Sequence, residues 1–135
     1  MATRRVAIIE DHGALRVFLR DVLTRLDWDV TGTAGTADAA YELVVASAPD
    51  VAVVDLHLGS AGGGDALVRR LAEAQTDTRL LVFTATSDPR ELSNVLEAGA
   101  DGIVLKEGGL PELLAALDAV LAGQRYVSPQ LASDL

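Results

Sequence analysis

The sequence has no cysteine among its 135 residues, which excludes disulfide bonds and thiolate metal sites. It also lacks any apolar run near the roughly 20 residues that cross a bilayer, and no signal-peptide core follows the basic start MATRR. Its 11 Lys and Arg residues are scattered and outnumbered by 20 Asp and Glu residues, which argues against direct binding to nucleic acid. These absences favour a cytoplasmic globular domain without a membrane partner.

Short apolar runs alternate with stretches whose apolar residues recur at helical spacing. The runs are residues 6–9, 51–54, 80–83 and 103–105, and WDVTGT at residues 28–33 fits an edge strand. The helical stretches cover residues 15–26, 40–44, 67–71, 92–96 and 113–121. Because each parallel crossover needs a connecting segment, this alternation predicts an α/β fold with a doubly wound parallel sheet.

Local signals mark the ends of several predicted helices. Asp88, Pro89, Arg90 and Glu91 have the order of an N-cap, a first-turn proline and a capping-box glutamate. Gly99 and Gly123 follow the last two helical stretches and are predicted to end them.

Polar residues follow the buried runs. Glu10 and Asp11 come after the first, Asp55 after the second, Thr84 after the third and Lys106 after the fourth. The carboxyl ends of parallel strands meet at one sheet edge, so we expect these side chains to converge. Three carboxylates held close together repel one another unless a cation joins them, and oxygen donors suit Mg²⁺. The pattern therefore predicts a magnesium site.

Asp55 is the natural nucleophile of this predicted site. A carboxylate that attacks a phosphoryl group forms an acyl phosphate, and the developing charge needs cationic and hydroxyl partners. Lys106 would balance charge beside Asp55 and hold one phosphoryl oxygen, while the Thr84 hydroxyl would donate to another.

Four segments together resemble the receiver domain of bacterial two-component response regulators. They are VAIIED, VAVVDLHL, LVFTATSD and EAGADGIVLK, in the order of that family, and the resemblance covers nearly the whole chain. It implies a flavodoxin-like (βα)5 fold with strand order 2-1-3-4-5. It also implies that Asp55 accepts a phosphoryl group from a sensor histidine kinase, with no enzymatic activity beyond autocatalytic phosphoryl acceptance and autodephosphorylation.

The resemblance also implies a role for each site residue. Mg²⁺, or Mn²⁺ in its place, would be bound by Asp11, Asp55 and the backbone carbonyl of His57, and by Glu10 through water. Phosphoryl stabilisation and switching are implied for Thr84, Ala85 and Lys106. Ile103 occupies the switch position, where family members often carry Tyr or Phe.

Two other functions, from different classes, are alternatives to a phosphoacceptor. A phosphatase of the haloacid-dehalogenase type would need a second Asp two residues after Asp55, where this sequence has His57. A pseudo-receiver would bind proteins without chemistry, and the intact set of site residues argues against it.

The C-terminal residues extend beyond the predicted receiver domain of residues 1–123. Residues 124–135 resemble the linker of NarL/LuxR-type regulators through the pattern Gly-x-x-Tyr-x-Ser-Pro, with Ser128 and Pro129 starting a new helix. Leu131 and Leu135 fall on one face of that helix, and we expect nothing in this chain to bury them. The resemblance implies a transcription regulator that contacts DNA only through an output domain outside this chain and that can form a homodimer. A stand-alone receiver is the alternative.

Overall fold

The computed structural model describes residues 3–58 and 63–132, which form a single parallel sheet covered by helices on both faces. The strands are β1 (Arg4–Ile9), β2 (Trp28–Ala34), β3 (Val51–Val54), β4 (Arg79–Thr84), β5 (Gly102–Leu105) and β6 (Tyr126–Val127). The α-helices are α1 (Gly13–Arg25), α2 (Ala37–Ser47), α3 (Gly64–Glu73), α4 (Pro89–Ala98) and α5 (Gly109–Leu121). Short 3₁₀ turns cover Lys106–Gly108 and Pro129–Leu131.

The sheet is buried on both faces, as the apolar runs predict. Alternate residues of β1 belong to two separate apolar clusters, because successive side chains of a strand point to opposite faces. One cluster receives Leu19 and Leu23 from α1 and Leu113 and Leu117 from α5. The other receives apolar side chains from α2, α3 and α4. This arrangement confirms the doubly wound α/β fold.

The order of the strands is β2-β1-β3-β4-β5-β6. The expected order 2-1-3-4-5 is confirmed, with β2 at one edge. The sixth strand is additional: it pairs in parallel with β5, matching Gly102 with Tyr126 and Ile103 with Val127. As a result β5, which precedes Lys106, has a hydrogen-bonded neighbour on each side.

The described residues that follow β6, from Ser128 to Ala132, pack against the sheet. The backbone N–H of Ser128 donates to the carbonyl of Ile103 at 3.0 Å, and the following turn places Leu131 in the cluster that faces α2, α3 and α4. Leu131 is only 2% exposed. The prediction that nothing buries Leu131 was therefore wrong, because pairing of β6 with β5 returns the chain to the core. Leu135 lies outside the described residues.

Ser128 has a different role from the predicted helix cap. Its side chain makes no capping hydrogen bond to the turn that follows. The buried hydroxyl instead accepts the backbone N–H of Leu105 at 3.0 Å and donates to the carboxylate of Glu112 on α5. Ser128 thus ties the end of β5 to α5.

The predicted ends of α4 and α5 are confirmed, with one exception in side-chain detail. Asp88 caps α4 by accepting the backbone N–H of Arg90 at 3.0 Å. Gly99 and Gly123 follow α4 and α5 with φ of 122° and 83°, values that favour glycine. Glu91 does not close a capping box, since the backbone N–H of Asp88 donates to the Thr86 hydroxyl.

Among the helices of residues 3–58 and 63–132, none is both long enough and apolar enough to cross a bilayer.

Candidate functional site at the carboxyl edge of the sheet

Residues that follow different strands meet at the carboxyl edge, as the sequence predicts. The ammonium of Lys106, just after β5, lies 2.8 Å from Oε1 of Glu10 after β1 and 3.5 Å from Oδ2 of Asp55 after β3. Thr84, the last residue of β4, is 1% exposed. The residues that follow β1, β3 and β5 thereby form one charged cluster, although these strands are distant in sequence.

Glu10 is a buried carboxylate that its neighbours hold in place. Its side chain is 3% exposed, and its backbone N–H donates to the carbonyl of Ala34 at 2.9 Å. Oε2 accepts the backbone N–H of His12 at 3.1 Å, and the guanidinium of Arg16 donates to the Glu10 carbonyl at 2.9 Å. Glu10 therefore presents one oxygen to Lys106 and the other to the loop after β1.

Asp55 is fixed with equal precision at the end of β3. Its backbone N–H donates to the carbonyl of Ile9 at 2.9 Å, and its Oδ1 accepts the backbone N–H of His57 at 3.2 Å. Gly64, at the start of α3, packs so closely that an added Cβ would collide with the backbone of Asp55 and Leu56. The position requires glycine because α3 begins directly against the peptide that carries the carboxylate.

The electrostatic environment of Asp55 disfavours its charge. The pKa of Asp55 is raised from 3.8 to about 6, mainly by burial, and repulsion from Glu10 contributes to the increase. The backbone N–H of His57 and the ammonium of Lys106 act in the opposite direction without cancelling it. A carboxylate in this state gains from any further cation placed beside it.

Lys106 is closer to Glu10 than the sequence led us to expect. We predicted that it would balance charge beside Asp55, and it does contact Asp55, but its shorter ion pair is with Glu10. One ammonium therefore serves two buried carboxylates.

The donor set fits a divalent cation. A carboxylate oxygen of Glu10, one of Asp11 and a ring nitrogen of His12 all lie within 4.8 Å of one another. Asp55 is not in this group of three, although Lys106 contacts both Asp55 and Glu10. Hard oxygen donors of this kind suit Mg²⁺. The side chain of His12 is 78% exposed, yet its Nδ1 lies 3.5 Å from a carboxylate oxygen of Glu10 and 3.6 Å from one of Asp11. His12 therefore borders the acidic pair.

The remaining predicted residues differ in their placement. Ala85 is exposed directly after Thr84. Ile103 is fully buried in β5 within the cluster that faces α2, α3 and α4. The predicted metal contact of the His57 carbonyl stays a prediction.

Sequence reasoning missed the side chains of His57, Thr86 and Glu91. Nε2 of His57 donates to Oε1 of Glu91 at 2.6 Å, and the Thr86 hydroxyl donates to Oε2 of Glu91 at 3.3 Å. The only local signal was Glu91 itself, which matched a capping box and was assigned to it. These three residues border the site on the side of α4.

Comparisons with known proteins agree with this geometry. The family profile described as "Response regulator receiver domain" matches residues 6–118. The chain is 32% identical over 132 residues to "Response regulator GacA" of Pseudomonas aeruginosa, covering 97% of this chain and 61% of that protein. The chain thus spans about three-fifths of the length of this curated relative.

Two solved structures share the fold. The first is a two-component response regulator of the LuxR family from Aurantimonas sp. SI85-9A1, with a TM-score of 0.90 and 33% identity, covering 98% of this chain and 95% of that chain. The second is RcsB from Salmonella enterica serovar Typhimurium, bound to promoter P1flhDC in the presence of the phosphomimetic BeF3⁻. It has a TM-score of 0.87 and 26% identity, covering 99% of this chain and 67% of that chain.

Proposed function

This chain belongs to the response regulator receiver domain family, and from that premise we propose that it is a phosphoacceptor whose acceptor is Asp55. The observation that carries the proposal is the shared ion pair at the carboxyl edge, in which Lys106 contacts both Glu10 and Asp55. Asp55 is buried and has a raised pKa, and Lys106 and Glu10 lie beside it. This arrangement suits the binding of a metal cation and a phosphoryl group at the same time.

The proposed reaction is the transfer of a phosphoryl group from a histidine of a sensor kinase. An oxygen of Asp55 forms a bond to phosphorus while the P–N bond to the kinase histidine breaks, and the released imidazole takes up a proton. Lys106 stabilises the negative charge on the phosphoryl oxygens. The Thr84 hydroxyl and the backbone at Ala85 donate to the remaining oxygens.

Glu10, Asp11 and Asp55, together with the His57 carbonyl, would hold Mg²⁺ or Mn²⁺ at this site. When bound, the metal neutralises the clustered carboxylates and the transferring phosphoryl oxygens. Burial and the neighbouring Glu10 raise the pKa of Asp55, so a bound cation would favour its charged form.

The chain is proposed to transfer no group to any other substrate. Its chemistry is limited to accepting the phosphoryl group and losing it to water. The protein is proposed to act in the cytoplasm of a bacterium, where the kinase domain of a sensor presents its phosphohistidine.

Incubation with acetyl phosphate and Mg²⁺ tests the proposal directly. We expect intact-mass analysis to show the gain of one phosphoryl group, dependent on Mg²⁺ and absent in Asp55→Asn. The exposed Asp77→Asn serves as the matched control and should be labelled like the wild type. Labelling of Asp55→Asn at full stoichiometry would contradict the assignment, and a wild type that is never labelled would favour a pseudo-receiver.

We further propose that phosphorylation of this domain controls transcription through a DNA-binding output domain and involves a homodimer. Support comes from GacA, which is longer than this chain, and from RcsB, which was solved on promoter DNA with BeF3⁻. Sedimentation of this chain with and without BeF3⁻ and Mg²⁺ tests the dimer. A monomer under both conditions would contradict it.

A further inference from the structure

Glu91 lies in the first turn of α4 without the role that its position suggests. In a capping box its carboxylate would accept the backbone N–H of Asp88. That N–H donates instead to the Thr86 hydroxyl at 3.3 Å, and the Asp88 carboxylate caps Arg90. The Glu91 side chain therefore makes no capping contact in α4 and points towards the residues that border the site.

Both oxygens of Glu91 are used there. Oε1 accepts Nε2–H of His57 at 2.6 Å, and Oε2 accepts the Thr86 hydroxyl at 3.3 Å. Each partner also holds a site residue through its backbone: the His57 N–H donates to Oδ1 of Asp55 at 3.2 Å, and the Thr86 N–H donates to Oγ1 of Thr84 at 3.3 Å. We call this chain of contacts from Asp55 to Thr84 through Glu91 the Glu91 bridge.

We propose that Glu91 is a positioning residue that stabilises the unphosphorylated arrangement by holding the Glu91 bridge together. The inference rests on the proposed function, in which Asp55 and Thr84 both turn to the phosphoryl group. Oδ1 of Asp55 and Oγ1 of Thr84 then exchange their bridge donors for new partners. The bridge has to loosen at both ends, so its stability opposes phosphorylation.

The exposure of the bridge limits its strength. The side chains of His57 and Glu91 are 62% and 32% exposed, so solvent screens their attraction. Loss of the bridge should therefore change the equilibrium between the two arrangements by about two- to fivefold. A shift of this size changes the populations of the two arrangements without preventing phosphorylation.

The test uses the whole chain and compares Glu91→Ala with Glu97→Ala, an exposed position on the same helix. We measure the affinity for BeF3⁻ in the presence of Mg²⁺ by NMR titration, together with the rate of phosphorylation by acetyl phosphate. Glu91→Ala should bind about two- to fivefold more tightly and react faster, whereas Glu97→Ala should match the wild type. Glu91→Gln, which keeps an oxygen acceptor, should restore part of the wild-type behaviour.

Further measurements separate positioning from general destabilisation. In the free protein, Glu91→Ala should shift the amide signals of His57 and Thr86. The double variant with His57→Asn should behave like Glu91→Ala alone, because Glu91→Ala already removes the contact with His57.

If the wild type binds BeF3⁻ normally and Glu91→Ala binds it equally or more weakly, the inference about the Glu91 bridge is wrong, while the proposed function stands. A wild type that fails to bind BeF3⁻ would overturn the proposed function and this inference with it.

Discussion

Replacement of Asp55 by Asn should stabilise the metal-free protein at neutral pH, although Asp55 is the proposed acceptor. The pKa of Asp55 is raised to about 6, mainly by burial and in smaller part by repulsion from Glu10. Asn has nearly the same shape and carries no charge. Its side-chain oxygen keeps the acceptor that the His57 N–H requires.

The size of the effect follows from the pKa difference. A carboxyl group whose pKa is higher in the folded than in the unfolded protein binds its proton more tightly when folded, so stability is lost as pH rises towards the folded pKa. The pKa rises from 3.8 to about 6, and each unit is equivalent to about 1.4 kcal/mol. The stability advantage of Asn should therefore grow from about 1 kcal/mol near pH 4.5 to about 3 kcal/mol above pH 7.

Urea denaturation in EDTA across this pH range measures the difference. The exposed Asp77→Asn is the matched control and should lack the pH-dependent gain. Addition of Mg²⁺ should narrow the gap between wild type and Asp55→Asn, because a ligand that binds the folded wild type stabilises it. A wild type as stable as Asp55→Asn above pH 7 in EDTA, with equal denaturant slopes, would refute this account of the site.

Three other substitutions test contacts of the same molecule. Lys106→Ala removes the cation 3.5 Å from Asp55, and should raise the Asp55 pKa further, as followed by NMR titration of its carboxyl carbon. Ser128→Ala leaves a buried backbone N–H without its acceptor and should cost about 1–3 kcal/mol in urea denaturation, whereas the exposed Ser93→Ala should be neutral. Leu131→Ala should lower the free energy of unfolding by about 2–3 kcal/mol; no loss would show that the C-terminal turn does not pack on the domain.

The sequence by itself determined the architecture and the main charged residues of the site. Apolar runs that lack a polar face must be buried on both sides, so the runs at residues 51–54 and 103–105 predicted parallel strands between layers of helices. Because all parallel strands end at one edge, the position of Asp55 and Lys106 directly after such runs was enough to predict that they meet. These inferences need only local pattern and topology.

Only the tertiary structure decided which partner each side chain takes. Lys106 lies nearer to Glu10 than to Asp55. This preference depends on how β1, β3 and β5 are placed relative to one another at the carboxyl edge. Ser128 and Glu91 both carried local signals for helix caps, yet each reaches a segment that is distant in sequence. A capping hydrogen bond is available to any residue with the right spacing, so local pattern cannot exclude a better partner that folding brings close. Leu131 is buried for the same reason: the pairing of β6 with β5, which the local pattern did not predict, returns the chain to the core.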